Sequence, residues 1–113
     1  MQIYNTATRR KEELATHEPG KVAMYACGPT VYNYIHIGNA RTFLIFDVVR
    51  KYLKYRGYEV AFVQNITDVD DKIIKRAQEE GKTPEEIAAF YTEAFIDNMH
   101  TFGIDDPDVR PRA

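Results

Sequence analysis

The sequence predicts an α/β fold built on a parallel sheet, and three stretches carry that prediction. Residues 22–26 form a short apolar run of strand type that stops at Cys27-Gly28-Pro29, where glycine and proline break regular structure. From Ala40 the pattern becomes helical and strongly apolar, and residues 59–66 then give a second apolar strand. Strand, long helix and strand make a βαβ unit, which is almost always right-handed with its two strands parallel.

Taken in order, residues 2–6 read as a short edge strand and residues 9–13 as a polar connection. Pro19-Gly20 is a turn signal ahead of the strand that leads to Cys27. In the long helix, Phe43, Leu44, Ile45, Phe46, Val48 and Val49 surround most of the first half, so it must be covered on several sides. The second half mixes Arg50, Lys51, Lys54 and Arg56 with Tyr52, Leu53 and Tyr55 and is expected to reach solvent. Gly57 is placed to end the helix in a left-handed cap.

After the second strand, Thr67-Asp68-Val69-Asp70 places a threonine three residues before a carboxylate, a helix-start signal, and Gly81 closes the helix that follows. Thr83-Pro84-Glu85-Glu86 is a stronger start, with a capping threonine, proline at the first helical position and glutamate three residues on. Ile87, Phe90, Tyr91, Ala94, Phe95 and Met99 then recur at helical spacing, ending near Gly103. Residues 104–113 are polar and proline-interrupted, with no capping or closing element expected. A parallel sheet needs helices on both faces and usually more strands than these, so residues 1–113 read as part of a larger domain.

At 113 residues the chain supports one domain, and 44% hydrophobic with 28% charged residues is ordinary for a soluble globular protein. A net charge of -2 excludes a protein that is basic overall, so nucleic-acid contact would rest on a local patch. The single cysteine, Cys27, has no internal disulfide partner, as expected in a reducing compartment. No basic-then-apolar leader and no apolar run of membrane-spanning length is found, so the expected location is cytoplasmic.

Ligands of parallel sheets gather at the carboxyl ends of the strands, here Cys27-Gly28 and Asn65-Ile66-Thr67. The long helix begins nearby, and a helix N-terminus presents unpaired N–H groups that favour phosphate. His36 and Asn39 flank that terminus as hydrogen-bond donors, and Gly38 lets a flat ligand or a phosphate approach the backbone closely. Each of these features also has a plainer structural reading. A lone cysteine is usually a small buried hydrophobe, and His36 can simply satisfy a helix end. Asp68, Asp70 and Asp71 read first as helix-start and solvated charges, and Phe90, Tyr91 and Phe95 as core rather than a base-stacking surface.

Three motifs carry a more specific resemblance: Cys27-Gly28-Pro29-Thr30-Val31-Tyr32, the HIGH-type tetrapeptide His36-Ile37-Gly38-Asn39, and the run from Asn65-Ile66-Thr67-Asp68 through Ala77. Together they closely resemble the cysteinyl-tRNA synthetases, class I aminoacyl-tRNA synthetases, across essentially the whole chain. The resemblance implies a Rossmann-type (HUP-like) parallel sheet, with residues 1–113 as the N-terminal part of the catalytic domain. The remainder of that domain and the helical tRNA-binding domains would lie outside these residues. It further implies ATP-dependent activation of cysteine to cysteinyl-adenylate and transfer to tRNA(Cys), with magnesium accompanying ATP.

In that setting His36 would donate to the phosphates as charge builds on them, a preorganised electrostatic role. Gly38 would give room for adenine, and Gly28, Thr30 and Thr67 would line the amino-acid pocket. Asn39 stands where many members have a second histidine; its amide donates but carries no charge. Cys27 resembles the family's first zinc ligand, zinc being used there to recognise the substrate thiol, since it prefers a thiolate to serine's hydroxyl. The other ligands and the KMSKS loop belong to a later half in the family, so zinc is expected to bind these residues alone weakly or not at all. Two other readings remain: a cysteine ligase with an amino-sugar acceptor, and a truncated non-catalytic module that binds nucleotide, a complementary fragment or itself.

Overall fold

A computed structural model describes residues 1–113. Its sheet contains β3 (Lys21–Ala26) and β4 (Glu59–Gln64), paired in parallel from Lys21 opposite Glu59 to Ala26 opposite Gln64. The helix between them, α1 (Ile37–Tyr55), supplies the crossover, as the alternation of strand and helix patterns predicts. Arg56 caps it and Gly57 follows with φ +90°, the left-handed turn expected there.

The amino-terminal residues depart from expectation. The expected short strand forms as β1 (Gln2–Asn5), but it lies outside the parallel sheet, and residues 9–13 are not a mere connection. Instead β1 pairs antiparallel with β2 (Arg10–Glu13) in a separate ribbon. The four charged residues of β2 give no alternating apolar signal, so its strand character comes from the partner and the turn. Asn5 Oδ1 accepts the Ala7 N–H at 2.9 Å, and Arg9 takes a left-handed φ of 56°. Glu12 accepts from Asn5 and Thr8, which holds its carboxyl below the ordinary value.

Two helices complete the chain. Asp70, rather than Thr67, caps α2 (Asp71–Glu80), accepting from the Lys72 N–H, and Gly81 closes it in the left-handed region. The cap moved because Thr67 is held in backbone pairing with the loop after β3, which keeps residues 67–70 extended. For α3 (Pro84–Thr101) the predicted capping box is formed: Thr83 accepts from the Glu86 N–H and the Glu86 side chain accepts from the Thr83 N–H. The core gathers Val31, Phe43, Ile66, Ile73, Ala77, Ile87, Tyr91, Phe95 and Met99, drawing on all three helices and on the loops that follow β3 and β4. Full burial of residues such as Ile66, Ile73 and Phe95 stabilises the fold by about 1.5–3 kcal/mol each. Phe90, expected in that core, is half exposed and packs edge-to-face on Tyr91 and Tyr34.

Covering of α1 is one-sided. Its buried stripe is Ala40, Phe43, Asp47, Arg50 and Leu53, while Leu44, Ile45, Val48 and Tyr52 stay exposed. The strand β4 is likewise buried on one face, through Val60, Phe62 and Gln64, while Glu59 and Ala61 are exposed. Arg50, expected in solvent, is buried because it serves the last segment. Its Nη1 donates to the Asp106 carbonyl at 2.7 Å, its Nη2 lies 3.5 Å from the Asp108 carboxylate, and its guanidinium sits over the Phe62 ring.

That last segment does pair with the sheet, where no such element was expected. It runs parallel to β4, with Val109 bridged to Val63 and Arg112 to Ile66. Gln64 N–H donates to the Val109 carbonyl at 3.1 Å and Ile66 N–H to the Pro111 carbonyl at 2.9 Å. The Phe62 N–H donates to the Asp108 carboxylate at 2.7 Å, which holds that carboxyl below its ordinary value. Prolines 107 and 111 are tolerated because an edge segment does not need every N–H.

Candidate functional site

Two loops leave the carboxyl ends of β3 and β4 and are sewn together by backbone. Val31 N–H donates to the Thr67 carbonyl at 3.1 Å, and Thr67 N–H to the Pro29 carbonyl at 3.0 Å. Thr30 and Thr67 thus become a bridge pair, and the two loops converge as the strand order predicts. Both threonines are half-buried.

Between these loops stands Asn65, which the sequence places at a strand end and in a motif but to which sequence reasoning gave no role of its own. Its Oδ1 accepts the Gly28 N–H at 2.8 Å and the Tyr25 O–H at 3.0 Å, and its Nδ2 reaches Thr67 Oγ1 at 3.3 Å. The available signal was a pair of amides, Gln64-Asn65, interrupting an apolar run at the carboxyl end of the strand. Gly28 is constrained by the same contact, since a Cβ placed there would lie 1.7 Å from the Asn65 carbonyl oxygen. Its missing side chain is therefore required by the neighbouring backbone, whatever ligand approaches.

The loop then carries the chain to α1. Val31 is buried, Ile35 packs on the core, and Tyr34 meets Tyr91 edge-to-face with centroids 5.2 Å apart. This anchoring places His36 as the N-cap of α1 with extended backbone, φ −82° and ψ 152°. The helix accordingly begins at Ile37, three residues ahead of the apolar pattern.

His36 Nδ1 accepts the Gly38 N–H at 3.0 Å. A backbone N–H can only donate, so Nδ1 is unprotonated in this arrangement and the neutral ring carries its proton on Nε2. The imidazole caps its own helix with one nitrogen and offers a donor with the other. Gly38 is exposed, and a Cβ there would press on that Nδ1 at 3.2 Å. Asn39 is exposed in the same first turn, which contains no acidic residue, so the positive end of the helix dipole has no intrahelical carboxylate beside it.

Cys27 is exposed rather than buried, and its Sγ lies 3.6 Å from the Gly28 carbonyl. No three His, Cys, Asp or Glu side chains gather as a metal would require. Of the other histidines, His17 lies on the segment before β3, and His100 lies 3.0 Å from Asp106. Neither histidine lies in a group with Cys27. Of the three aspartates read as helix-start charges, Asp70 caps α2 and Asp71 lies in its first turn, whereas Asp68 is largely buried and faces Arg112 at 3.8 Å. A cleft of ≈ 380 Å³ is lined by Asp68, Asp70, Ile73, Pro84, Ala88 and Arg112, and none of the loop residues Cys27 to His36 lines it.

The pattern of a whole family matches residues 13–113, under the description tRNA synthetases class I (C) catalytic domain. A protein of Brevibacillus brevis named Cysteine--tRNA ligase is 61% identical over 112 residues, covering 99% of this chain and 24% of that protein. One of Clostridioides difficile with the same name is 60% identical over 112 residues, with the same coverage. A third, from Symbiobacterium thermophilum, is 55% identical over 113 residues, 100% of this chain and 24% of that protein. The chain thus spans about a quarter of the length of the relatives it matches. No helix is long and apolar enough to cross a membrane. With a parallel βαβ unit, a HIGH-type helix start and this match along most of its length, the chain belongs to the class I tRNA synthetase catalytic domains of the type described as (C).

Proposed function

We propose that the chain provides the nucleotide- and cysteine-binding part of a cytoplasmic cysteine–tRNA ligase. The cysteine carboxylate attacks the α-phosphate of ATP, forming cysteinyl-adenylate and releasing pyrophosphate, and the cysteinyl group then passes to the terminal ribose of tRNA(Cys). The observation that carries this reading is the 55–61% identity to proteins of that name along 99–100% of the chain. The same names favour a tRNA acceptor over an amino sugar.

In this reading the N-terminus of α1 faces the triphosphate, which magnesium accompanies. His36 donates from Nε2–H as negative charge builds on the α-phosphate and the leaving pyrophosphate, a donor oriented in advance by its Nδ1 contact to Gly38. The Asn39 amide adds a neutral donor in the same turn. Gly38 leaves space beside the imidazole for the flat adenine. Gly28, Thr30 and Thr67 line the amino-acid side of the site. Cys27 supplies one thiolate to a zinc centre whose other ligands come from outside this chain.

Exchange of labelled pyrophosphate into ATP tests the reading. It is measured on the chain and on a hybrid in which the chain replaces the matching quarter of the Brevibacillus brevis relative. Cysteine-dependent exchange in the hybrid that is lost with His36→Ala is the expected result. A folded hybrid with no cysteine-dependent exchange overturns it.

A further inference from the structure

We propose that Asn65 is a positioning residue that sets the polarity of the Thr67 hydroxyl, making it a hydrogen-bond donor to an acceptor oxygen of the bound amino acid. This rests on the functional reading above and names a residue to which that reading gives no part.

The orientation of the Asn65 amide follows from its partners. The Gly28 backbone N–H, 2.8 Å away, can only donate, so the atom facing it is the amide oxygen. The Tyr25 hydroxyl donates to the same oxygen at 3.0 Å, and the two donors use its two lone pairs. The amide nitrogen is thereby turned to Thr67 Oγ1, 3.3 Å away, where it can only donate. Thr67 Oγ1 accepts from Asn65, so its own proton points elsewhere.

Thr67 is fixed in place independently of this contact. Its carbonyl accepts from Val31 N–H at 3.1 Å and its N–H donates to Pro29 at 3.0 Å, so its backbone is tied to the loop that carries Cys27. Oδ1 of Asn65 reaches that same loop through Gly28. One amide thus links both sides of the amino-acid pocket, holding the loop with its oxygen and orienting the hydroxyl with its nitrogen. A ligand oxygen, carboxylate or carbonyl, is what a fixed hydroxyl donor recognises.

Asn65→Asp separates the two tasks. It keeps an oxygen towards Gly28 and Tyr25 but puts an acceptor where Thr67 met a donor, so the hydroxyl proton turns inward. In pyrophosphate exchange by the hybrid, the KM for cysteine should rise about tenfold or more, while the KM for ATP stays within about twofold and Tm is unchanged. In a Thr67→Val background the same substitution should move the cysteine KM by less than about twofold, because no hydroxyl remains to be turned. An effect of the added charge alone would persist in both backgrounds. Equal effects in the two backgrounds, parallel rises in both KM values, or no change in either would overturn the assignment. Should Asn65→Asp not fold, Asn65→Ala is run through the same cycle, with the same coupling to Thr67 expected and additivity overturning the proposal. Lack of exchange by the unsubstituted hybrid overturns the functional reading and this proposal together, whereas exchange that ignores Asn65 overturns this proposal alone.

Discussion

The Gly28 backbone passes so close to Asn65 that a single added methyl group would lie 1.7 Å from the Asn65 carbonyl oxygen. That oxygen belongs to backbone held beside β4, so neither side can yield without moving a strand end. Gly28→Ala is therefore expected to destabilise the fold by about 1–3 kcal/mol, the range for overpacking. Denaturant unfolding of the chain measures it; a loss below about 0.5 kcal/mol would show that the loop relaxes freely.

In the proposed reading His36 both caps α1 and donates to the phosphates, and its substitutions should divide these duties. Asparagine is a good N-cap and can replace Nδ1 as acceptor for the Gly38 N–H, whereas alanine cannot. His36→Ala should cost about 1 kcal/mol of stability and His36→Asn only a few tenths. Both should lower exchange by about a hundredfold or more, because neither keeps the Nε2 donor where charge develops. Near-normal exchange by His36→Asn would mean that capping is the residue's whole contribution.

Arg50 holds the last segment against β4 from beneath. Removing its side chain leaves the Asp106 carbonyl without a donor and the Asp108 carboxylate without its guanidinium neighbour. Arg50→Ala should cost about 3 kcal/mol, and Arg50→Lys should not restore it, since an ammonium lacks the planar fork. Amide exchange locates the effect: protection of Gln64 and Ile66, whose N–H groups donate to Val109 and Pro111, should fall before that of α3.

Acid should release the same segment. The Phe62 N–H holds the Asp108 carboxyl below its ordinary value of 3.8, with the nearby Arg50 and Lys54 charges acting in the same direction. A lowered folded value means that the contact stabilises fully above 3.8 and that its contribution is lost as pH falls through the lowered value. Because Asp108 is partly exposed, the effect is small. Circular dichroism through an acid titration should show wild type losing more stability than Asp108→Asn as pH falls below about 4. Superimposable curves would remove Asp108 from the acid response.

Local chemistry alone determined the β3–α1–β4 order, the turn at Gly57, the capping box at Thr83 and the meeting of two loops at the strand ends. Each of these depends on residues adjacent in sequence, whose periodicity or turn preference is visible without knowing what lies opposite. The motifs around Cys27, His36 and Asn65 likewise identify the family from the chain itself. Tertiary structure decided what depends on distant partners. Arg10–Glu13 became a strand because Gln2–Asn5 lies across from it, and Asp70 took the cap because Thr67 was held by Pro29 and Val31. Arg50 was buried because carbonyls from residues 105 and 106 came within its reach. Asn65 gained its place for the same reason: an amide has no inherent direction, and only the backbone N–H of Gly28, brought to it by the parallel pairing of β3 and β4, fixes which end faces Thr67.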